Sequence, residues 1–131
     1  PMNFISSHLT KDGKLIIGER KISNTLQLEE NALDEDVKIG IRSHQIPFSF
    51  EDSKESFEMK ISYIENLGKE LLVYGDAYGS EVRITTADKT LYDRLMEVSK
   101  NNGSLYLHLG DRYHLFRLNG GKNIIKKEIV K

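Results

Sequence analysis

Val37-Lys38-Ile39-Gly40-Ile41-Arg42 alternates strictly, with Val37, Ile39 and Ile41 on one side and Lys38, Gly40 and Arg42 on the other. A period of two marks a strand with one face on a core and one face outward. The same beat returns at Phe57, Met59, Ile61 and Tyr63, with Glu58, Lys60 and Ser62 between them. It returns again at Val82 and Ile84, and at Leu105, Leu107 and Leu109. Residues 3–10, 14–18 and 70–78 read as further strands, and 113–118 as a strand running back from 105–109. Residues 21–28 make a weaker candidate, and Ile124, Ile125, Ile129 and Val130 close the chain. Turns separate these runs: Asp12-Gly13, with positive φ expected at both central positions, then Gly68, Gly79-Ser80, Gly110-Asp111 and Asn119-Gly120-Gly121.

One segment has a different period. Asp88 suits an N-cap, Leu91, Leu95 and Val98 recur at helical spacing, and Tyr92 and Met96 widen the stripe. Asn101-Asn102-Gly103 provides the left-handed stop. Many short strands with one amphipathic helix predict a mainly β fold, a small antiparallel barrel or sandwich. The helix should plug an end or cover an edge.

The chain has 131 residues, enough for one domain with its own core, and 1–131 is read as a single domain. Hydrophobic residues make up 38% and charged residues 30%, a globular balance. The formal net charge of −1 exerts no general pull on nucleic acid or acidic lipid. There is no cysteine, so disulfides and thiolate metal sites are excluded. The longest apolar run, Leu71-Leu72-Val73-Tyr74, is a strand's worth, and no signal-peptide pattern is visible. The opening Pro1-Met2-Asn3-Phe4 lacks a leading initiator methionine and reads as the interior of a longer polypeptide.

Catalytic patterns are missing. No phosphate loop or dinucleotide fingerprint occurs, and no serine sits in a nucleophile elbow. His8, His44, His108 and His114 form no metal-ligand pair on one helix, although His108 and His114 fall on strands expected to be neighbours. Asp34-Glu35-Asp36 and Glu51-Asp52 read as solvated acidic connections. Tyr106, Tyr113, Phe116 and Arg117 cluster in sequence, as in barrels that bind single strands, but the balanced charge speaks against nucleic acid as a partner.

Four stretches share an order with one known family. Val37-Lys38-Ile39-Gly40-Ile41-Arg42 resembles the Gly-Ile-Arg strand in the C-terminal domain of sugar-importer ATPase subunits. Glu65-Asn66-Leu67-Gly68-Lys69-Glu70 is similar to that family's Glu-x-Leu-Gly-x-Glu turn. His114-Leu115-Phe116, followed by Asn119-Gly120, resembles its closing His-Leu-Phe strand and turn, and Pro1-Met2-Asn3-Phe4 its entry segment. The resemblance implies an OB-like barrel of the transport-associated (TOBE) kind, non-catalytic and regulatory. It implies a fragment without cofactor, with ATP and magnesium held by a preceding ATPase domain. The partners implied are that domain, a second copy of the same subunit, the transporter's membrane subunits and a regulatory protein. The implied location is the cytoplasm, at the inner face of the plasma membrane. The motif or interface positions carried over are Gly40, Arg42, Glu65, Gly68, His114 and Phe116. Two departures stand out: Ser43-His44 replaces the family's Pro-Glu, and Arg117 replaces its aspartate.

Two other readings stay open. Related barrels of the molybdate-binding kind hold small oxyanions at a dimer seam, which requires converging backbone amides with basic or hydroxyl groups. An OB-type nucleic-acid module is the third.

Overall fold

A computed structural model of the chain describes residues 2–28 and 33–118. The turn expected at 119–121, the apolar residues from Ile124 to Val130, Pro1, and the acids Glu29 and Glu30 lie outside the described residues. The strands are β1 (Met2–Leu9), β2 (Leu15–Ile17), β3 (Arg20–Ile22), β4 (Glu35–Arg42), β5 (Phe48–Ser49), β6 (Phe57–Asn66), β7 (Leu71–Ala77), β8 (Ser80–Thr86), β9 (Ser104–Leu107) and β10 (His114–Arg117). The helix α1 spans Tyr92–Lys100. They form two five-stranded antiparallel sheets, ordered β10-β4-β1-β2-β3 and β5-β9-β6-β7-β8. The described residues are therefore mainly β with one short α-helix, in an OB/TOBE-like arrangement.

The alternating pattern becomes the core. Ile5, Leu9, Val37, Ile39, Ile41 and Leu115 from the first sheet join Phe57, Met59, Val73, Val82, Ile84 and Leu105 from the second in one buried cluster. Leu95 anchors α1 on this core, and α1 packs against β6. Asp88 caps the helical segment by accepting from the Thr90 N–H at 3.1 Å. The helix ends at Asn102, whose φ of 55° provides the left-handed stop, while the Gly103 N–H closes on the Val98 carbonyl at 2.8 Å.

Several expectations change. The turn after β1 has positive φ only at Gly13 (81°), with the Gly13 N–H donating to the Thr10 carbonyl at 3.0 Å. The β7–β8 turn is Tyr78-Gly79, φ 50° and 92°, and Ser80 already belongs to β8. Of the 21–28 candidate only Lys21 and Ile22 belong to β3. A 3-10 turn at Ser43–Gln45 and the short β5 lie in the stretch between β4 and β6. Tyr63 does not share the face of Phe57, Met59 and Ile61. A bulge between Ile61 and Tyr63 shifts the phase, leaving Tyr63 52% exposed and stacked on Tyr74 at 4.2 Å. β10 does not return alongside β9. It pairs with β4, while β9 pairs with β6 and β5, so His108, just past the end of β9, and His114, at the start of β10, are not strand neighbours.

Candidate functional site: a polar groove between two sheet edges

β1 is paired with β4 along its whole length but with β2 only at His8 and Leu9. The rest of that edge, residues 2–7, faces β8 of the other sheet. Two side chains hold the edges together. Asn3, buried, mimics a strand: its Oδ1 accepts from the Arg83 N–H and its Nδ2 donates to the Arg83 carbonyl, both at 2.8 Å. Nδ2 also reaches the Ile41 carbonyl at 3.3 Å. Further along, the Ser6 N–H donates to Ser80 Oγ at 3.1 Å. Amides alternate along a strand, so the Phe4 N–H shares the direction of the Ser6 N–H, away from β4.

Between these bridges runs a groove of about 390 Å³ lined by Phe4, Ser6, Lys38, Ser80, Glu81 and Arg83 among others. Lys38 stands opposite Ser6 in the ladder, and its ammonium donates to Ser6 Oγ at 3.0 Å. An ammonium has three N–H groups, so two remain for a ligand. Arg83 makes no side-chain hydrogen bond or ion pair among the described residues. Among the described residues, two cations against the single acid Glu81 give the groove's lining one positive charge in excess. Cationic N–H groups, hydroxyls and an unpaired strand edge together suit a small anion with several oxygens.

A second cleft, about 470 Å³, shares Ser6 and Lys38 with the first and continues toward His8, Asp36 and Tyr78. Here the acidic segment is not a freely solvated loop. Glu35 and Asp36 begin β4, and Glu35 accepts from Arg117 Nε at 3.1 Å. The His8 ring bridges Asp36 Oδ1 at 2.7 Å and Asp34 Oδ1 at 3.1 Å. Those hydrogen bonds, Asp36 first and then Asp34, raise the His8 pKa above its ordinary 6.5. Asp52, the other acid expected to be solvated, pairs with Arg20 at 3.0 Å, and its pKa is lowered by that contact.

Among the described residues no group of three or more His, Asp or Glu is arranged to hold a metal ion. The Ser49 hydroxyl approaches His108 Nε2 at 3.5 Å but donates to the Glu51 carbonyl at 2.9 Å, and no carboxylate orients the ring among the described residues. A triad requires that third group.

The carried-over motif positions divide between the sheets. Gly40, His114 and Phe116 meet on the outer face of the first sheet, with Gly40 opposite His114 and the Phe116 ring edge-on to Phe4 at 5.9 Å. Arg42 is exposed at the end of β4. Glu65 is exposed on β6, and Gly68, φ 91°, forms the turn that follows it. No ion pair joins Arg42 to Glu65 among the described residues. Tyr106, Tyr113, Phe116 and Arg117 form no shared face. Tyr106 lies on β9, Tyr113 is buried with its hydroxyl on Asn24, and Arg117 is held by Glu35. Burial raises the Tyr113 pKa. Asn3, Ser6, Lys38, Ser80 and Arg83 carry no local signature, because the bridging pairs lie 74 and 80 residues apart.

No family model matches the chain, and no curated protein matches it. Among solved structures, the cytoplasmic molybdate-binding protein ModG, in a form with molybdate bound, superposes with a TM-score of 0.62. The match covers 86% of this chain and 94% of that one at 13% identity. The likeness is one of fold: both chains share the OB/TOBE-like architecture. It does not single out the importer ATPase domain that the motifs suggested.

Proposed function

We propose that the chain is a non-catalytic binding module for a small tetrahedral oxyanion, held in the groove between β1 and β8. The observation that carries this reading is the convergence of Lys38, Arg83, Ser6 and Ser80 on that groove. A dianion of the molybdate, tungstate or sulfate kind has oxygen acceptors all round. It needs donors from several directions, which two facing strand edges offer and a flat surface does not. The fold shared with ModG, described as cytoplasmic and molybdate-binding, supports the ligand class and a cytoplasmic setting. Calorimetric titration with molybdate, tungstate, sulfate and phosphate tests it. At least one should bind, and Lys38→Ala should weaken it by about tenfold or more, roughly 1.4 kcal/mol. No saturable heat with any of the four would refute the proposal.

A second reading keeps the importer. The outer-face patch of Met2, Phe4, Gly40 and Phe116, with Phe4 50% exposed, supports it, because it joins two of the strands that carry the resemblance. On that reading the barrel follows an ATPase domain and pairs with a second copy to tether two nucleotide sites. The membrane subunits and a regulatory protein would be reached through the parent chain. Light scattering across a concentration series tests it: a dimer weakened by Phe4→Ser supports it, and a strict monomer counts against it.

A further inference from the structure

A separate cleft of about 290 Å³ is also lined by Arg83, together with His44, Leu67, Glu70 and Leu72. Its composition differs from the oxyanion groove. Leu67, in the turn between β6 and β7, is 50% exposed, and Leu72 is half-buried, so the cleft has an apolar wall open to solvent. Ser43 and Thr85 also line it but are occupied, with the Thr85 hydroxyl donating to Ser43 Oγ at 3.0 Å.

The informative pair is Arg83 and Glu70. Both line this cleft, they carry opposite charges, and they form no ion pair with each other or with any described residue. The cleft therefore offers a cation, an anion and two leucines in a space of small-molecule size.

We infer that this cleft binds an apolar α-amino acid. The ligand's carboxylate sits on the Arg83 guanidinium, its ammonium on the Glu70 carboxylate, and its aliphatic side chain on Leu67 and Leu72. Each feature of the zwitterion answers one of the cleft's groups. A simple carboxylic acid leaves Glu70 facing its chain, and an amine leaves Arg83 unanswered. The site is distinct from the oxyanion groove, although Arg83 lines both.

The test is titration of the chain with L-leucine, leucinamide and isocaproate, followed by calorimetry and by methyl NMR shifts of Leu67 and Leu72. Leucine should bind with shifts at both methyl groups, and each analogue, lacking one charge, should bind about tenfold more weakly or worse. Glu70→Gln should weaken leucine by a similar factor while leaving oxyanion uptake intact, and Arg83→Gln should weaken both. The analogue series uses the unaltered chain, so it does not depend on how a variant folds. The inference is overturned if leucine produces no methyl shift, if either analogue binds as well as leucine, or if Glu70→Gln leaves leucine binding unchanged. None of those results touches the oxyanion reading, which Lys38 tests.

Discussion

Gly75 shows how little room separates the paired strands beside the bulge in β6. A Cβ there would stand 2.5 Å from the Lys60 carbonyl and 2.7 Å from Met59 Cγ. The first of these is backbone inside a ladder and cannot step aside. Gly40 is different: its Cβ would meet the Phe116 ring at 2.7 Å and Met2 Sδ at 2.9 Å, both side chains able to shift. Gly75→Ala should therefore cost about 2–3 kcal/mol and Gly40→Ala about 1 kcal/mol, read by urea unfolding. Equal costs would contradict the distinction. Asn3 offers a second test at this scale. Asn3→Asp keeps the acceptor for the Arg83 N–H but loses the donors to the Ile41 and Arg83 carbonyls. It also places a carboxylate against two carbonyl oxygens in a buried position. Stability should fall by about 2 kcal/mol near neutral pH. Part of the loss, measured against the unaltered chain, should return in mild acid as the new carboxyl takes up a proton. A loss independent of pH would show that shape, not hydrogen-bond polarity, joins the sheets.

At the level of the elements, His8 ties the end of β1 to the start of β4. Because its folded pKa lies above the ordinary 6.5, protonation favours the folded state. This contribution is fully present below about 6.5 and fades as pH rises through the raised folded value. The difference in Tm between the unaltered chain and His8→Gln should be largest in mild acid and shrink toward alkaline pH. Asp36→Asn should remove more of it than Asp34→Asn, because the Asp36 hydrogen bond is the larger cause. A difference constant with pH would exclude the His8 bridge as its source. The existence of most strands was legible in the sequence because burial on one face enforces a period of two, as Val37, Ile39 and Ile41 show. Their partners were not. Nothing local tells 114–117 to cross to β4 rather than fold back on β9, since either pairing buries Leu115. The bulge in β6 was equally hidden: Tyr63 continues the beat in sequence, and only the pairing with β7 breaks it.

For the whole molecule, the decisive feature is that two sheets share one core yet meet edge to edge at β1 and β8 without a continuous ladder. That seam brings Ser6 to Ser80 and Asn3 to Arg83 across most of the chain. For this reason the candidate site escaped sequence reading, while the motif glycines and the His-Leu-Phe strand, which recur locally, did not. The molecule's nearly neutral charge hides a groove whose described residues carry an excess of one positive charge, so binding there should weaken with salt only modestly. A steep loss of affinity in moderate salt would point to a diffuse surface instead. The most direct test of the oxyanion groove is calorimetric titration with molybdate of the unaltered chain and of Lys38→Ala, at equal fold content by circular dichroism. Saturable binding that the substitution weakens by about tenfold or more is the expected result. Binding of the same strength in both proteins, or in neither, would contradict it.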